Sequence, residues 1–218
     1  MKAALVYNGG DLMQKMDYFE FLVKEIHSVI AATVDDEGRP VTCAIDIMDF
    51  DKDGLYFLTA KGKNFYDRLK KREFISLTGM KGEDTMSRVA LSIGGKVRKI
   101  GAERLPILFE KNPYMHEIYP TDESVRALTV FCIYEGSGEW FDLSKKPIQR
   151  DSFVFGKAEK HKSGYFVTSD CIGCGACTEV CPQNCIDIAD GRAEIHHENC
   201  LHCGNCISVC PVGAVKRS

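Results

Sequence analysis

The chain has no apolar run approaching the ~18 residues of a membrane-crossing helix. Its one early apolar stretch, Ala3–Tyr7, is too short for the core of a secretory leader. Neither sign of charge dominates: 28 Lys and Arg stand against 31 Asp and Glu, a net charge of −3. That balance argues against nucleic acid or an anionic membrane as a partner. No G-x-G-x-x-G fingerprint of a dinucleotide site occurs. Tryptophan is reduced to one residue, Trp140, and cysteine before position 171 to two, Cys43 and Cys132. These gaps lead us to expect a cytoplasmic protein with no membrane and no nucleic-acid partner. At 44% hydrophobic and 27% charged residues the composition is globular.

What is present is concentrated. Nine of the eleven cysteines fall between Cys171 and Cys210. An odd number in a reducing compartment fits structural disulfides poorly. Two segments repeat 29 residues apart, CIGCGACTEVCPQNCI from Cys171 and CLHCGNCISVCPVGAV from Cys200, and each reads C-x2-C-x2-C-x3-C-P. Three thiolates at three-residue spacing let one short loop wrap three corners of an iron–sulfur cube. Gly175 and Gly204 permit a tight turn in which backbone N–H groups point at sulfur. Zinc is the alternative, because it also uses paired C-x2-C motifs and two ions would consume eight thiolates. The repeated triple run with its trailing C-P is the more specific signal, and it favours iron and sulfide.

Residues 164–218 resemble the bacterial two-[4Fe–4S] ferredoxins. The resemblance implies a small βαββαβ-like unit in which the fourth cysteine of each motif serves the other cluster. Cys171, Cys174, Cys177 and Cys210 would hold one cubane, and Cys200, Cys203, Cys206 and Cys181 the other. Cys185 is expected as a buried thiol beside a cluster, and His196, His197 and His202 as loop residues. Three basic residues against six acidic ones place the whole net charge in this segment, and a basic docking partner, or the basic stretch 144–163 itself, would complement it.

Residues 1–143 read as antiparallel β opened by one helix, an α+β pattern. Leu12, Met13, Met16, Phe19, Leu22, Val23 and Ile26 recur at helical spacing. Strands are expected over 28–34, 41–50, 55–59, 74–80, 89–99, 128–134 and 139–143, with a short helix over 64–71. The stretch 103–126 reads as helical, broken at Pro106, Pro113 and Pro120. Many strands close in sequence suggest a barrel. Residues 144–163 hold six basic and two acidic residues with Pro147 and Gly156, and read as a linker to a third segment, 164–218.

The runs ATVDDEGRPVTCAIDI, GLYFLTAKGKNFYDRLKK, RVALSIGGKV and EWFDL resemble the pyridoxamine-phosphate-oxidase-like, FMN-binding split-barrel superfamily. The resemblance implies a homodimer with two flavins at its interface. It places the FMN phosphate on Thr59-Ala60-Lys61-Gly62-Lys63-Asn64. Lys63 and Asn64, at the N-terminus of a helix that favours anions, would be the main contacts, Thr59 and Lys61 weaker ones, and Arg88 would contribute from the start of the next strand. Cys43 and Met48 stand where the family's vitamin B6 oxidases carry Arg and Lys, and the C-terminal Arg-x-His element is missing. These departures speak against vitamin B6 oxidation. Trp140, Cys43 and Cys132 are expected in the core.

A flavin accepts one or two electrons and a cubane one, so joining them gathers single electrons into a two-electron step. The expected function is an iron–sulfur flavoprotein oxidoreductase with a ferredoxin-like redox partner. No residue stands out as a catalytic acid or base. The rival readings are a non-enzymatic electron carrier and, with less to support it, a redox sensor.

Overall fold

The computed structural model describes residues 14–159 and 164–218. The Ala3–Tyr7 stretch, Leu12, Met13 and residues 160–163 of the expected linker lie outside them. Helix α1 (Lys15–Phe21) runs into a π-helical turn, Leu22–Ile26. Phe19 and Leu22 are fully buried, and Met16, Val23 and Ile26 pack against the same core, so the helical periodicity marks the buried stripe.

The strands follow in order. They are β1 (Ser28–Val34), β2 (Pro40–Asp46), β3 (Asp49–Asp51) and β4 (Gly54–Ala60); helix α2 (Asn64–Arg72) intervenes before β5 (Phe74–Lys81) and β6 (Val89–Gly101). Short helices α3 (Leu105–Lys111), α4 (Met115–Ile118) and α5 (Asp122–Arg126) lead to β7 (Leu128–Asp142) and β8 (Gln149–Phe155). One eight-stranded sheet runs β2-β1-β5-β6-β7-β4-β3, with β8 on β7. Its pairs are antiparallel. Inward residues of the sheet meet α1 and α2 in one core, where Phe57 stacks on Phe131 at 5.8 Å. A second core lies between α3–α4 and the sheet, built on Met48, Tyr56, Leu108 and Val130.

Four expectations change. The strand expected over 41–50 breaks after Asp46; Ile47 is buried in the main core and Met48 in the second, and the chain resumes as β3 at Asp49. The two strands expected over 128–134 and 139–143 are one, β7, running straight through Glu135-Gly136-Ser137-Gly138. Glycine is needed there because a Cβ at Gly136 would collide with the Gly94 carbonyl and one at Gly138 with the Phe153 ring. Pro106 does not break the helix; it sits at its first turn, where its missing N–H costs nothing. Finally, the stretch 144–163 is not all linker. Gln149–Phe155 pairs along Gly136–Asp142 and buries Phe153 and Phe155 in the main core.

The C-terminal unit is β9 (Tyr165–Val167), α6 (Ala176–Glu179), β10 (Ile186–Ala189), β11 (Arg192–Ile195), α7 (Asn205–Ser208) and β12 (Val215–Arg217), the βαββαβ order. Strands β9 and β12 pair, as do β10 and β11. A 3-10 turn, His197–Asn199, packs on β8, and the Asn199 side-chain amide donates to the Ile148 carbonyl at 2.8 Å. Barrel and C-terminal unit therefore touch at the turn that leads into Cys200.

Candidate functional site

The cysteines ring two cavities. One is lined by Cys171, Cys174, Cys177 and Cys210. The other is lined by Cys181, Cys200, Cys203 and Cys206, with Cys185 as a fifth sulfur. Each motif thus sends its fourth cysteine to the other motif's cavity. The cause is local. Gly175 and Gly204, both left-handed, start α6 and α7 and turn three cysteines onto one side, while Pro182 and Pro211 carry the chain away after the fourth.

Backbone N–H groups point at these sulfurs. Cys185 N–H donates to Cys181 Sγ at 3.4 Å and Ala214 N–H to Cys210 Sγ at 3.2 Å. Ala193 N–H reaches Cys171 Sγ and His202 N–H reaches Cys200 Sγ, both at 3.4 Å. Burial pushes the Cys181 thiol up, but the N–H groups of Cys185, Gln183 and Asn184 outweigh it and hold the thiol below its ordinary value. The N–H groups that follow Cys210, that of Val215 foremost, do the same for Cys210. Burial instead raises Cys177, Cys206 and Cys185. A loop that aims donors at sulfur suits thiolate ligands, the form that binds iron. Among the described residues no group of three or more His, Cys, Asp or Glu gathers tightly enough for a single metal ion. Zinc draws four ligands to about 2.0–2.3 Å of one atom; sulfurs spread around a cavity fit a cube of iron and sulfide better.

The candidate phosphate residues do not all converge. Lys63 caps α2 and Asn64 is its first residue; both are exposed. Arg68, one turn on, donates to Thr33 at 2.7 Å. Burial raises the Cys43 thiol on β2, and the charges of Arg68 and Lys63 partly offset this. Lys61 turns away and donates to the Arg126 carbonyl at 2.8 Å, capping α5. Thr59 is buried opposite Thr129. Arg88 precedes Val89, which pairs with Asp142 at the end of β7, whereas Ala60 pairs with Leu128 at its start. Lys63 and Asn64 thus open α2 with Arg68 one turn on, whereas Arg88 lies at the other end of β7. The cationic start of a nine-residue helix suits a phosphate dianion. Arg68, four residues after Asn64 on the same helix, was not singled out from the sequence.

The pyridoxamine 5'-phosphate oxidase profile matches residues 16–133, more than half of the chain. The chain belongs to the pyridoxamine 5'-phosphate oxidase family. A second profile, the 4Fe–4S dicluster domain, matches residues 170–214. No curated protein matches the chain. Among solved structures, a NimC/NimA family protein from Clostridium acetobutylicum is similar at 16% identity and a TM-score of 0.53, covering 65% of this chain and 95% of that one. From the same organism, a protein related to general stress protein 26 of the pyridoxinephosphate oxidase family is similar at 18% identity and a TM-score of 0.51, covering 65% and 96%. A heme binding protein from Mycobacterium smegmatis is similar at 10% identity and a TM-score of 0.51, covering 66% and 59%. These likenesses share the split-barrel fold. The family's FMN-binding barrel joined to a 4Fe–4S domain supports a redox, electron-transfer role.

Met48, where the resemblance put a family lysine, is 3% exposed beneath α3, and its carbonyl accepts from Asn112 at 3.1 Å. Trp140 lies in the main core, edge-on to Phe21 at 4.7 Å. Cys132 is fully buried and its thiol is pushed up to about 11 by burial; Cys43 is only half-buried. No helix among the described residues is long and apolar enough to cross a membrane.

Proposed function

We propose that this protein is an iron–sulfur flavoprotein that passes single electrons through two [4Fe–4S] clusters to or from an FMN held by the barrel. The observation that carries the reading is the pair of cysteine-ringed cavities on a chain whose barrel belongs to an FMN-binding family, one cavity lying beside the barrel. We assign Cys171, Cys174, Cys177 and Cys210 to one cluster and Cys181, Cys200, Cys203 and Cys206 to the other. The clusters, when bound, would supply one-electron steps and the flavin one- or two-electron steps. Lys63, Asn64 and Arg68 would hold the flavin phosphate by charge and by the N–H groups that open α2. We place the barrel at about 14–155, the cluster unit at 164–218, and the protein in the reducing cytoplasm, where its free thiols persist.

We further propose a homodimer through the outer face of β1 and β5. Ile30, Phe74 and Met80 are 56%, 48% and 59% exposed there, among Ser and Thr side chains. An apolar patch of this kind marks an interface. A partner copy would be one route by which Arg88 reaches a flavin phosphate bound at the start of α2.

The second reading, a carrier that serves protein partners and no small substrate, has one observation in its favour: α3 and Asn112 close over Met48, where the resemblance puts a lysine of the vitamin B6 oxidases. Metal, sulfide and flavin analysis of anaerobically purified protein tests the main reading, which expects about eight irons and one FMN per chain. Zinc in place of iron would overturn it; iron without flavin would remove the FMN step. Steady-state turnover of small acceptors with a reduced ferredoxin donor separates oxidoreductase from carrier.

A further inference from the structure

The two cysteine motifs differ at two buried positions: Ile186 against Val215 exchanges one aliphatic side chain for another, whereas the other changes the chemistry. After the fourth cysteine, the residue whose N–H reaches back to that cysteine's sulfur is Cys185 in the first repeat and Ala214 in the second. Both are buried. The difference is one sulfur atom, and Cys185 Sγ lies 3.5 Å from Cys181 Sγ on the wall of the cavity that Cys200, Cys203 and Cys206 complete. That cavity is also the inner one. Asn199, bonded to Ile148, immediately precedes Cys200, and the turn His197–Asn199 packs on β8. The cavity of Cys171, Cys174, Cys177 and Cys210 has four sulfurs and carries exposed Ile172 and Val212 on its rim.

Resting on the cluster assignment above, we infer that the two clusters are made unequal by Cys185: its thiol donates a hydrogen bond to the Cys181 sulfur, raises the potential of the inner cluster, and so draws electrons from the outer cluster to the barrel side. A reduced cluster carries one more negative charge, spread in part over its thiolates. A donor to one of those sulfurs stabilises the reduced form more than the oxidised one. The step is a one-electron transfer. With both clusters bound, one electron would leave the outer and enter the inner, no bond would form or break, and Cys185 would keep its proton on Sγ.

The test uses the full-length holoprotein with Cys185→Ala, which copies the other repeat, and Cys185→Ser, which keeps a donor. EPR-monitored redox titration should show one cluster shifted to lower potential in the Ala variant and the other unchanged. At the wild-type midpoint of the affected cluster, the ratio of reduced to oxidised form should fall about fivefold, the worth of one ordinary hydrogen bond. The Ser variant should lie between Ala and wild type. Unmoved midpoints, or two midpoints moving together, would overturn the inference. Loss of half the iron in the Ala variant would also overturn it, by making Cys185 a ligand. Wild-type protein that holds no iron refutes the cluster assignment itself, which separates that failure from this one.

Discussion

Replacing Asp49 by Asn tests whether the helical segment over Met48 is held by a buried charge. Asp49 is 2% exposed and accepts from Arg104 at 2.7 Å and from Lys111. Arg104 also meets Asp51 at 2.8 Å and lies 3.5 Å above the Tyr56 ring. These contacts fasten the start and end of α3 to β3. Asn keeps the shape and removes the charge, so Arg104 retains only Asp51, while the half-exposed Lys111 relaxes into water. Breaking a fully buried pair costs about 3–5 kcal/mol. Arg104 is a fifth exposed and keeps one charged partner, so less than that, about 2–3 kcal/mol, is expected for Asp49→Asn. Trp140, the single tryptophan, sits in the barrel core, so its fluorescence during urea unfolding reports the barrel and not the cluster unit. The midpoint should fall with the slope unchanged, and Tm should drop by roughly 5–10 °C. The double change Asp49→Leu with Arg104→Met should recover much of the loss, because apolar replacement of a whole buried pair is often neutral. A shift under about 0.5 kcal/mol for Asp49→Asn, the size of an ordinary surface change, would refute the reasoning.

The same cluster gives a pH dependence. Burial pushes the Asp51 carboxyl up, but the Asp53 N–H, the Tyr56 hydroxyl and Arg104 together hold it below the usual carboxylate range. A depressed folded value contributes stability above the unfolded pKa of about 4 and loses it as pH falls through the folded value. Barrel stability followed by Trp140 should therefore decline in acid below about pH 4, with a shallower slope in Asp51→Asn. Lys63→Ala should weaken FMN binding about tenfold or more, the worth of one charge-assisted contact, whereas Lys61→Ala should leave it within twofold or so, its amine being spent on α5; flavin fluorescence titration reads both. Ile30→Lys should turn a dimer into a monomer in light scattering, and an unchanged mass would place the interface elsewhere.

The cysteine motifs were the most legible part of the chain, because their spacing and their glycines encode the wrap around a cavity directly. Which cavity each fourth cysteine enters came from the ferredoxin resemblance, and the cavity linings follow the same pattern. The barrel strands were legible where one face is buried, as in β1 and β5, whose burial alternates. Strand β8 hid in polar sequence because Gln149, Arg150, Asp151 and Ser152 lie half-exposed on the sheet, and only Phe153 and Phe155 point to the core. The middle of β7 looked like a turn because its glycines are there for close backbone approach and not for reversal. The phosphate residues were the least legible. A lysine's place in sequence does not say whether its amine is left exposed, as in Lys63, or spent on a helix end, as in Lys61.

The exchange of fourth cysteines between the two cavities sets an order of events on the ribosome. The wall begun by Cys171 stays open until Cys210 has been translated, and the wall begun by Cys200 needs Cys181 from the earlier half. By then β1 through β8 have long emerged, so the barrel can fold and offer its β8 edge before any iron is loaded, and a chain that stalls short of Cys210 leaves the first site with three of its four sulfurs.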